Sequence, residues 1–297
     1  MTTASELRSR SPSRSGTGID AVWSQRWRSV SPADLLNALS PRRGWHAHSD
    51  IAYGRGPRRK LDVYQPDASE AAPVVVFFYG GSWQSGERSL YRFVGASLAA
   101  RGIVTVIPDY TIYPEARYPD FLDDAAQAVR YVRDNAEAWG GAPRRIVLMG
   151  HSAGAYICAM LAFDVRRLQQ VELEPARDLA GMIGIAGPYD FLPIVDPVLQ
   201  DIFGGPGRIE TQPIRYVTAD APPALLIAAR RDRIVSPGNT RRLAAQIRAF
   251  GSNVEERTYS LVGHLSVLGA MAPPLRFLAP VLNDVAAFVR SAKGGRS

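Results

Sequence analysis

Cysteine is nearly absent from this chain of 297 residues. The one cysteine, Cys158, has no second thiol to pair with, so a disulfide framework within the chain is excluded. Cys158 stands among alanine, isoleucine and methionine in a segment with helical periodicity. This environment predicts a buried structural thiol rather than a reactive one.

Long hydrophobic runs are also missing. Apolar stretches such as residues 74–79 are far shorter than the roughly 20 residues that a membrane-spanning helix needs. The amino-terminal residues are rich in arginine and serine and lack the apolar centre of a signal peptide. We therefore expect a cytoplasmic protein without stable membrane insertion.

Acidic residues are scarce only at the beginning of the chain. Residues 1–60 contain eleven basic and four acidic side chains, so this segment carries the whole net charge of +7. Residues 1–18 have almost no large apolar side chains and are predicted to form a disordered basic tail. Because their arginines are scattered and belong to no binding motif, we expect no nucleic-acid partner.

Three further segments follow the tail. Residues 19–50 have apolar side chains at helical spacing, interrupted before Pro32, and predict an N-terminal helical segment that could act as a cap. From residue 51 to 293, short apolar runs alternate with helical patterns, which predicts an α/β fold with a mostly parallel, doubly wound sheet and helices on both faces. Within it, residues 188–216 form either a cap insertion or ordinary core packing.

The strongest chemical signal is the pentapeptide Gly-His-Ser-Ala-Gly at residues 150–154. It directly follows a predicted buried strand at residues 146–149 and directly precedes a helical run. A tight turn between strand and helix requires glycines beside the serine and lifts the serine out of the sheet. Ser152 is therefore the predicted nucleophile, and a coincidental glycine-rich turn is the alternative.

A serine hydroxyl needs a base and a carboxylate that orients this base. Of the four histidines, only His264 follows the pentapeptide in sequence, which makes it the candidate base. Asp232 follows a buried apolar run and precedes a helix, so its carboxylate is expected at the carboxyl end of a strand. The alternatives are a surface histidine and a surface ion pair with a neighbouring arginine.

Backbone amides are expected to stabilise the oxyanion of the reaction. Residues 79–83, Tyr-Gly-Gly-Ser-Trp, end an early strand, and their glycines allow the amides of Gly81 and Ser82 to point inward together with that of Ala153. A plain glycine-rich turn is again the alternative. The expected substrate contacts are Trp83, His151, Tyr189 and Phe191.

These motifs resemble those of the α/β-hydrolases, in the hormone-sensitive-lipase and kynurenine-formamidase-like (BD-FAE-like) carboxylesterase branch. The family's His-Gly-Gly-x-Trp motif is similar to residues 79–83, and its Asp-Tyr-x-x-x-Pro-Glu segment is similar to residues 109–115. Two residues depart from the family pattern: Tyr79 replaces the histidine, and Ser82 replaces the third glycine of the lipase-like members. Both departures concern the geometry of the loop and hence substrate preference.

The resemblance implies a serine carboxylesterase that hydrolyses small to medium esters through an acyl-enzyme, without a cofactor or a metal. An amidase or arylformamidase with the same three residues is the nearest alternative. A ligand-binding homologue without catalysis is a second alternative, and it would require a broken set of catalytic residues. A homodimer stays open.

Overall fold

The computed structural model describes residues 32–294, and within them it forms one eight-stranded sheet. The strands are β1 Trp45–Ala52, β2 Lys60–Pro66, β3 Ala72–Phe78, β4 Val104–Pro108, β5 Gly141–His151, β6 Leu179–Ile185, β7 Ala224–Ala229 and β8 Val254–Tyr259. The helices are α1 Pro32–Ala38, α2 Arg92–Ala99, α3 Asp120–Asn135, α4 Ala153–Phe163, α5 Val165–Gln169, α6 Pro175–Asp178, α7 Pro197–Phe203, α8 Gly238–Ala249, α9 His264–Gly269 and α10 Val281–Ser291. Short 3₁₀ turns lie at Arg88–Tyr91, Ala136–Trp139, Ile209–Thr211, Pro213–Tyr216 and Pro273–Leu275.

The sheet has the order β1-β2-β4-β3-β5-β6-β7-β8. Strands β1 and β2 form an antiparallel hairpin, and β2 runs antiparallel to β4. From β4 to β8 every neighbouring pair is parallel. The predicted mostly parallel sheet is therefore confirmed, and its antiparallel part is the hairpin at one edge.

Burial explains why the central strands read as continuous apolar runs. All residues of β3, β4, β6 and β7 are buried, so both faces of these strands are covered. Helix α2 packs on β4 and on α10, whereas α3 and α4 pack on each other and on β5. The first four residues of the edge strand β8 instead alternate between partly buried and exposed, as expected for a strand with one covered face.

The described residues include only the second part of the predicted N-terminal segment. The predicted tail at residues 1–18 and the first predicted helix, up to residue 31, lie outside the described residues. Helix α1 begins at Pro32, where the sequence predicts a helix start. The Asn37 side chain fixes α1 to the 3₁₀ turn at Arg88–Tyr91 and to α2. Its Nδ2 donates to the Ser89 carbonyl at 2.9 Å, and its Oδ1 accepts from the Phe93 amide at 3.0 Å. A capping role of this segment stays a prediction.

Residues 188–216 are tied to the body of the fold by buried polar contacts. The Asn239 Oδ1 on α8 accepts from the amides of Tyr189 and Asp190, each at 2.9 Å. The Tyr156 hydroxyl on α4 donates to the Thr211 carbonyl at 2.8 Å. Phe203 in this segment is fully buried, whereas Val195 is 82% exposed, so the segment joins the core on one side and reaches solvent on the other.

None of the helices within residues 32–294 combines the length and apolarity that crossing a bilayer requires.

Candidate active site

The elements that carry the candidate residues end at the same edge of the sheet. Ser152 follows β5, Asp232 follows β7 and His264 follows β8. Because parallel strands place their carboxyl ends side by side, loops distant in sequence meet there. The sequence-predicted nucleophile, acid and base are brought together in this way.

Ser152 is the turn residue between β5 and α4, and its backbone has φ 55° and ψ −121°. A side-chain-bearing residue in this conformation is strained by roughly 1–3 kcal/mol. The flanking glycines are required by contact: a Cβ at Gly150 would lie 2.2 Å from the Gly154 carbonyl oxygen, and a Cβ at Gly154 would lie 1.9 Å from the Phe78 carbonyl oxygen. The predicted sharp turn is therefore present.

A chain of two hydrogen bonds joins the three side chains. His264 Nε2 lies 2.9 Å from Ser152 Oγ, and His264 Nδ1 lies 2.8 Å from Asp232 Oδ2. A carboxylate oxygen accepts, so Nδ1 carries the proton of the neutral ring. His264 Nε2 is then left with a lone pair that can accept the Ser152 hydroxyl proton.

The Asp232 carboxylate is held by its own loop. Its Oδ1 accepts from the amides of Ile234 and Val235, each at 2.9 Å. The side chain is 1% exposed. Within residues 32–294 its ion-pair partner is His264, and the neighbouring arginines that the sequence offered as alternatives do not pair with it.

His151, inside the pentapeptide, contacts the main chain of the candidate base. Its Nε2 lies 2.8 Å from the His264 carbonyl oxygen, and because this oxygen accepts, Nε2 carries the proton. Burial, and then the neighbouring His264 ring, lower the pKa of His151 to about 4. His151 is therefore neutral at pH 7, and its hydrogen bond fixes the position of the His264 main chain. A contact with substrate stays a prediction.

The loop of residues 79–88, here called the oxyanion loop after the role predicted from the sequence, crosses close to Ser152. A Cβ at Gly80 would lie 2.9 Å from the Ser152 Cβ. Gly81, Ser82 and Trp83 follow with φ of 135°, 52° and 58°, so three successive residues have left-handed backbone angles. Among residues 32–294, no acceptor is found for the backbone amides of Gly81, Ser82 and Ala153. Their role at an oxyanion stays a prediction.

Two of the predicted aromatic substrate contacts, Trp83 and Phe191, lie in one cluster at the oxyanion loop, and no ring contact among residues 32–294 joins the third, Tyr189, to this cluster. Trp83 meets Phe203 edge to face at 4.8 Å between ring centroids and Tyr156 at 5.2 Å, and it stacks on Phe191 at 6.4 Å. Tyr189 is fully buried, and its ring lies against Gly187. Tyr156 and Phe203 were not among the four predicted substrate contacts, although Phe203 lies in the segment 188–216 that the sequence left open as cap or core, because apolar side chains on helices give no signal that separates core from site.

Asp109 is a second residue whose contacts the sequence alone does not reveal. It directly follows β4, at the same edge of the sheet as the candidate residues. Its carboxylate receives hydrogen bonds from Tyr79 and Arg88, at the two ends of the oxyanion loop. The one signal for Asp109 in the sequence is that a carboxylate directly follows a buried strand. Among residues 32–294, no group of three or more histidine, cysteine or carboxylate side chains is arranged to hold a metal ion.

Known structures share this architecture. A hyperthermophilic esterase from the archaeon Pyrobaculum calidifontis superimposes with a TM-score of 0.73 at 24% identity, covering 87% of this chain and 90% of that one. A truncated carbohydrate esterase from gut microbiota gives a TM-score of 0.73 at 19% identity, covering 85% of this chain and 98% of that one. Together with the sheet order and the strained turn at Ser152, these matches establish the α/β-hydrolase fold that the sequence predicts.

Residues 61–247 match the model of the BD-FAE family. The chain belongs to the BD-FAE family, as the resemblance in its motifs indicated. Among curated relatives, the esterase LipC of Mycobacterium tuberculosis is 30% identical over 256 residues, 80% of this chain and 62% of LipC. The isoprenylcysteine alpha-carbonyl methylesterase ICME of Arabidopsis thaliana is 37% identical over 150 residues, 49% of this chain and 35% of ICME. The matched part is thus about a third of the length of ICME and about three fifths of LipC.

Proposed function

We propose that this protein is a serine carboxylesterase that hydrolyses small to medium carboxylic esters through an acyl-enzyme. The observation that carries the proposal is the pair of hydrogen bonds that joins Ser152 Oγ to His264 and His264 to Asp232. Relatives named as esterases, such as LipC, and as a methylesterase, in ICME, support the same class of reaction.

Acylation begins when Ser152 Oγ attacks the ester carbonyl carbon and its proton passes to His264 Nε2. The carbonyl oxygen becomes an oxyanion, which the amides of Gly81, Ser82 and Ala153 stabilise. The tetrahedral intermediate collapses, the bond to the alcohol oxygen breaks, and this oxygen takes the proton from His264. The products of this half are the free alcohol and an acyl group on Ser152.

Deacylation repeats these steps with water. His264 Nε2 removes a proton from a water molecule whose oxygen attacks the acyl carbon, and the same amides stabilise the second oxyanion. Collapse releases the carboxylic acid and returns the proton to Ser152 Oγ. Asp232 keeps the ring in the Nδ1-protonated form and stabilises the imidazolium that exists between the two proton transfers.

His151 supports this cycle through its charge state. The rings of His151 and His264 lie 4.9 Å apart, so a positive charge on His151 would oppose the imidazolium on His264. Because burial lowers the pKa of His151 to about 4, the ring stays neutral across the neutral pH range. The imidazolium therefore forms next to a neutral neighbour.

The test is ester turnover by the Ser152→Ala variant. We expect it to hydrolyse p-nitrophenyl acetate and butyrate at least about 10⁴-fold more slowly than the wild type, because the nucleophile is gone. Ser97→Ala is the matched control: Ser97 is fully buried on α2, and its hydroxyl donates to the Met271 carbonyl rather than to a candidate residue. Ester turnover by Ser152→Ala at the rate of the wild type would contradict the proposal.

The same assay separates the alternatives that the sequence left open. A formanilide substrate cleaved faster than the matched acyl ester would identify an amidase or arylformamidase. A wild-type protein that binds esters but turns none over would identify a ligand-binding homologue. A cytoplasmic location and a homodimer stay predictions from the sequence.

A further inference from the structure

The oxyanion loop has an unfavourable backbone conformation, which it would leave if the contacts that hold it were lost. Gly81, Ser82 and Trp83 all have positive φ, and for residues with a side chain this conformation is unfavourable. Such a run persists only where the surrounding structure holds it. The contacts at the two ends of the loop therefore matter for the direction in which its amides point.

Both ends of the loop meet on the Asp109 carboxylate. The Tyr79 hydroxyl donates to Asp109 Oδ1 at 2.7 Å, and the Arg88 amide donates to the same oxygen at 2.7 Å. The Arg88 guanidinium pairs with Asp109 Oδ2. Asp109 is itself fixed to the sheet edge, because its amide donates to the Lys60 carbonyl at 2.9 Å. One carboxylate thus connects the first and last residues of the loop.

Arg58 adds a second connection from outside the loop. Its guanidinium donates to the Tyr79 hydroxyl at 2.8 Å and to the Gly86 carbonyl at 2.6 Å. The Tyr79 hydroxyl therefore accepts from Arg58 while it donates to Asp109. Burial raises the pKa of Tyr79 well above its ordinary value, so the hydroxyl keeps the proton that this arrangement needs.

The Tyr79 ring is held as firmly as its hydroxyl. It stacks between Tyr91 and Tyr110, with ring centroids 5.2 Å and 5.0 Å away. The Tyr110 hydroxyl donates to the Tyr79 carbonyl at 2.9 Å. A Cβ at Gly86 would lie 2.7 Å from the edge of the Tyr79 ring, so this glycine allows the end of the loop to close over it.

We propose that Tyr79 is a positioning residue whose hydroxyl, held by Asp109 and Arg58, fixes the oxyanion loop so that the amides of Gly81 and Ser82 face the reacting carbonyl oxygen. This inference rests on the proposed esterase function and assigns a task to the residue that replaces the histidine of related motifs. Tyr79 is fully buried, so we expect no contact between its side chain and the substrate. It acts through the loop, so its loss should weaken transition-state stabilisation more than ester binding.

The test is Tyr79→Phe, which removes the hydroxyl and keeps the stacked ring. We expect kcat for p-nitrophenyl acetate to fall about tenfold to hundredfold, with KM within about twofold, because a small displacement of preorganised donors is costly. Binding of an acyl trifluoromethyl ketone, whose adduct with Ser152 carries an oxyanion, should weaken by a similar factor.

Tyr53→Phe is the matched control. The Tyr53 hydroxyl is buried and also donates to Asp109, at 2.7 Å to its main-chain carbonyl, and no hydrogen bond among residues 32–294 joins it to the oxyanion loop. We expect this variant to keep kcat within about twofold. Arg58→Gln is a second variant at a half-buried position, and it should lower kcat and ketone affinity in the same direction if Tyr79→Phe does not fold.

The outcomes distinguish a failure of this inference from a failure of the proposed esterase function. A wild type without ester turnover contradicts the proposed function and this inference together. A wild type with turnover, and with kcat and ketone affinity unchanged in Tyr79→Phe and Arg58→Gln, overturns only this inference. An equal loss in Tyr53→Phe also overturns it, because general packing would then explain the effect.

Discussion

His151 should make the stability of this protein sensitive to acid, and its replacement by glutamine tests this. The ring is 3% exposed and lies between the nucleophile turn and the main chain of His264. His151→Gln removes the titratable ring, and the glutamine amide can still donate to the His264 carbonyl. The variant therefore separates the charge of the ring from the hydrogen bond that it makes.

The size and sign of the effect follow from the pKa of His151. Burial lowers it from 6.5 to about 4 in the folded protein. At a pH between these values the unfolded chain binds a proton that the folded protein does not, so the free energy of unfolding decreases as the pH falls from 6.5 to 4. Over the whole interval the loss is about 3 kcal/mol, at about 1.4 kcal/mol per pKa unit.

The assay is urea unfolding followed by circular dichroism at pH 7 and pH 4.5. Between these pH values the wild type should lose about 2 kcal/mol more unfolding free energy than His151→Gln, because the other titrating groups are common to both proteins. The absolute stability of the variant at pH 7 does not enter this comparison. Parallel losses in the two proteins would refute a buried, neutral His151.

Three further predictions concern the site and its surroundings. Asp232→Asn should lower kcat for p-nitrophenyl acetate about 10⁴-fold, because the amide no longer selects the Nδ1-protonated ring; an effect on KM alone would contradict this. Gly154→Ala should destabilise the fold by at least about 3 kcal/mol in thermal unfolding, whereas Gly207→Ala, where a Cβ meets nothing within 4 Å, should stay within about 0.5 kcal/mol. Phe191→Ala should raise the ratio of octanoate to acetate turnover about tenfold, because loss of this half-buried ring, which stacks on Trp83, leaves room for a longer acyl chain. An unchanged ratio would show that the aromatic cluster does not line the acyl site.

The fold and the meeting of the three candidate side chains were predictable because their signals are local in sequence. A buried strand, a glycine-flanked serine and a helix follow one another directly, so Ser152 could be located from its neighbours alone. His264 was identified because no other histidine follows the pentapeptide. Asp232 was identified from its place after an apolar run. The regular alternation of strand and helix then predicts that these three loops meet at one sheet edge.

The supporting contacts could not be predicted, because each one joins residues that are distant in the chain. Arg58 precedes β2, Tyr79 follows β3 and Asp109 follows β4, and their meeting depends on the order in which these strands pair. Nothing in the periodicity of the sequence marks Arg58 as a half-buried donor rather than an exposed surface cation. The hydrogen bond of His151 to the main chain of His264 likewise could not be foreseen, and its contact with substrate stays a prediction.

Covalent labelling with a fluorophosphonate, located by peptide mass spectrometry, tests the central claim most directly. We expect one adduct, on Ser152, which is absent in Ser152→Ala and forms much more slowly in His264→Ala. Labelling of another residue, or ester turnover by a protein whose Ser152 stays unlabelled, would contradict it.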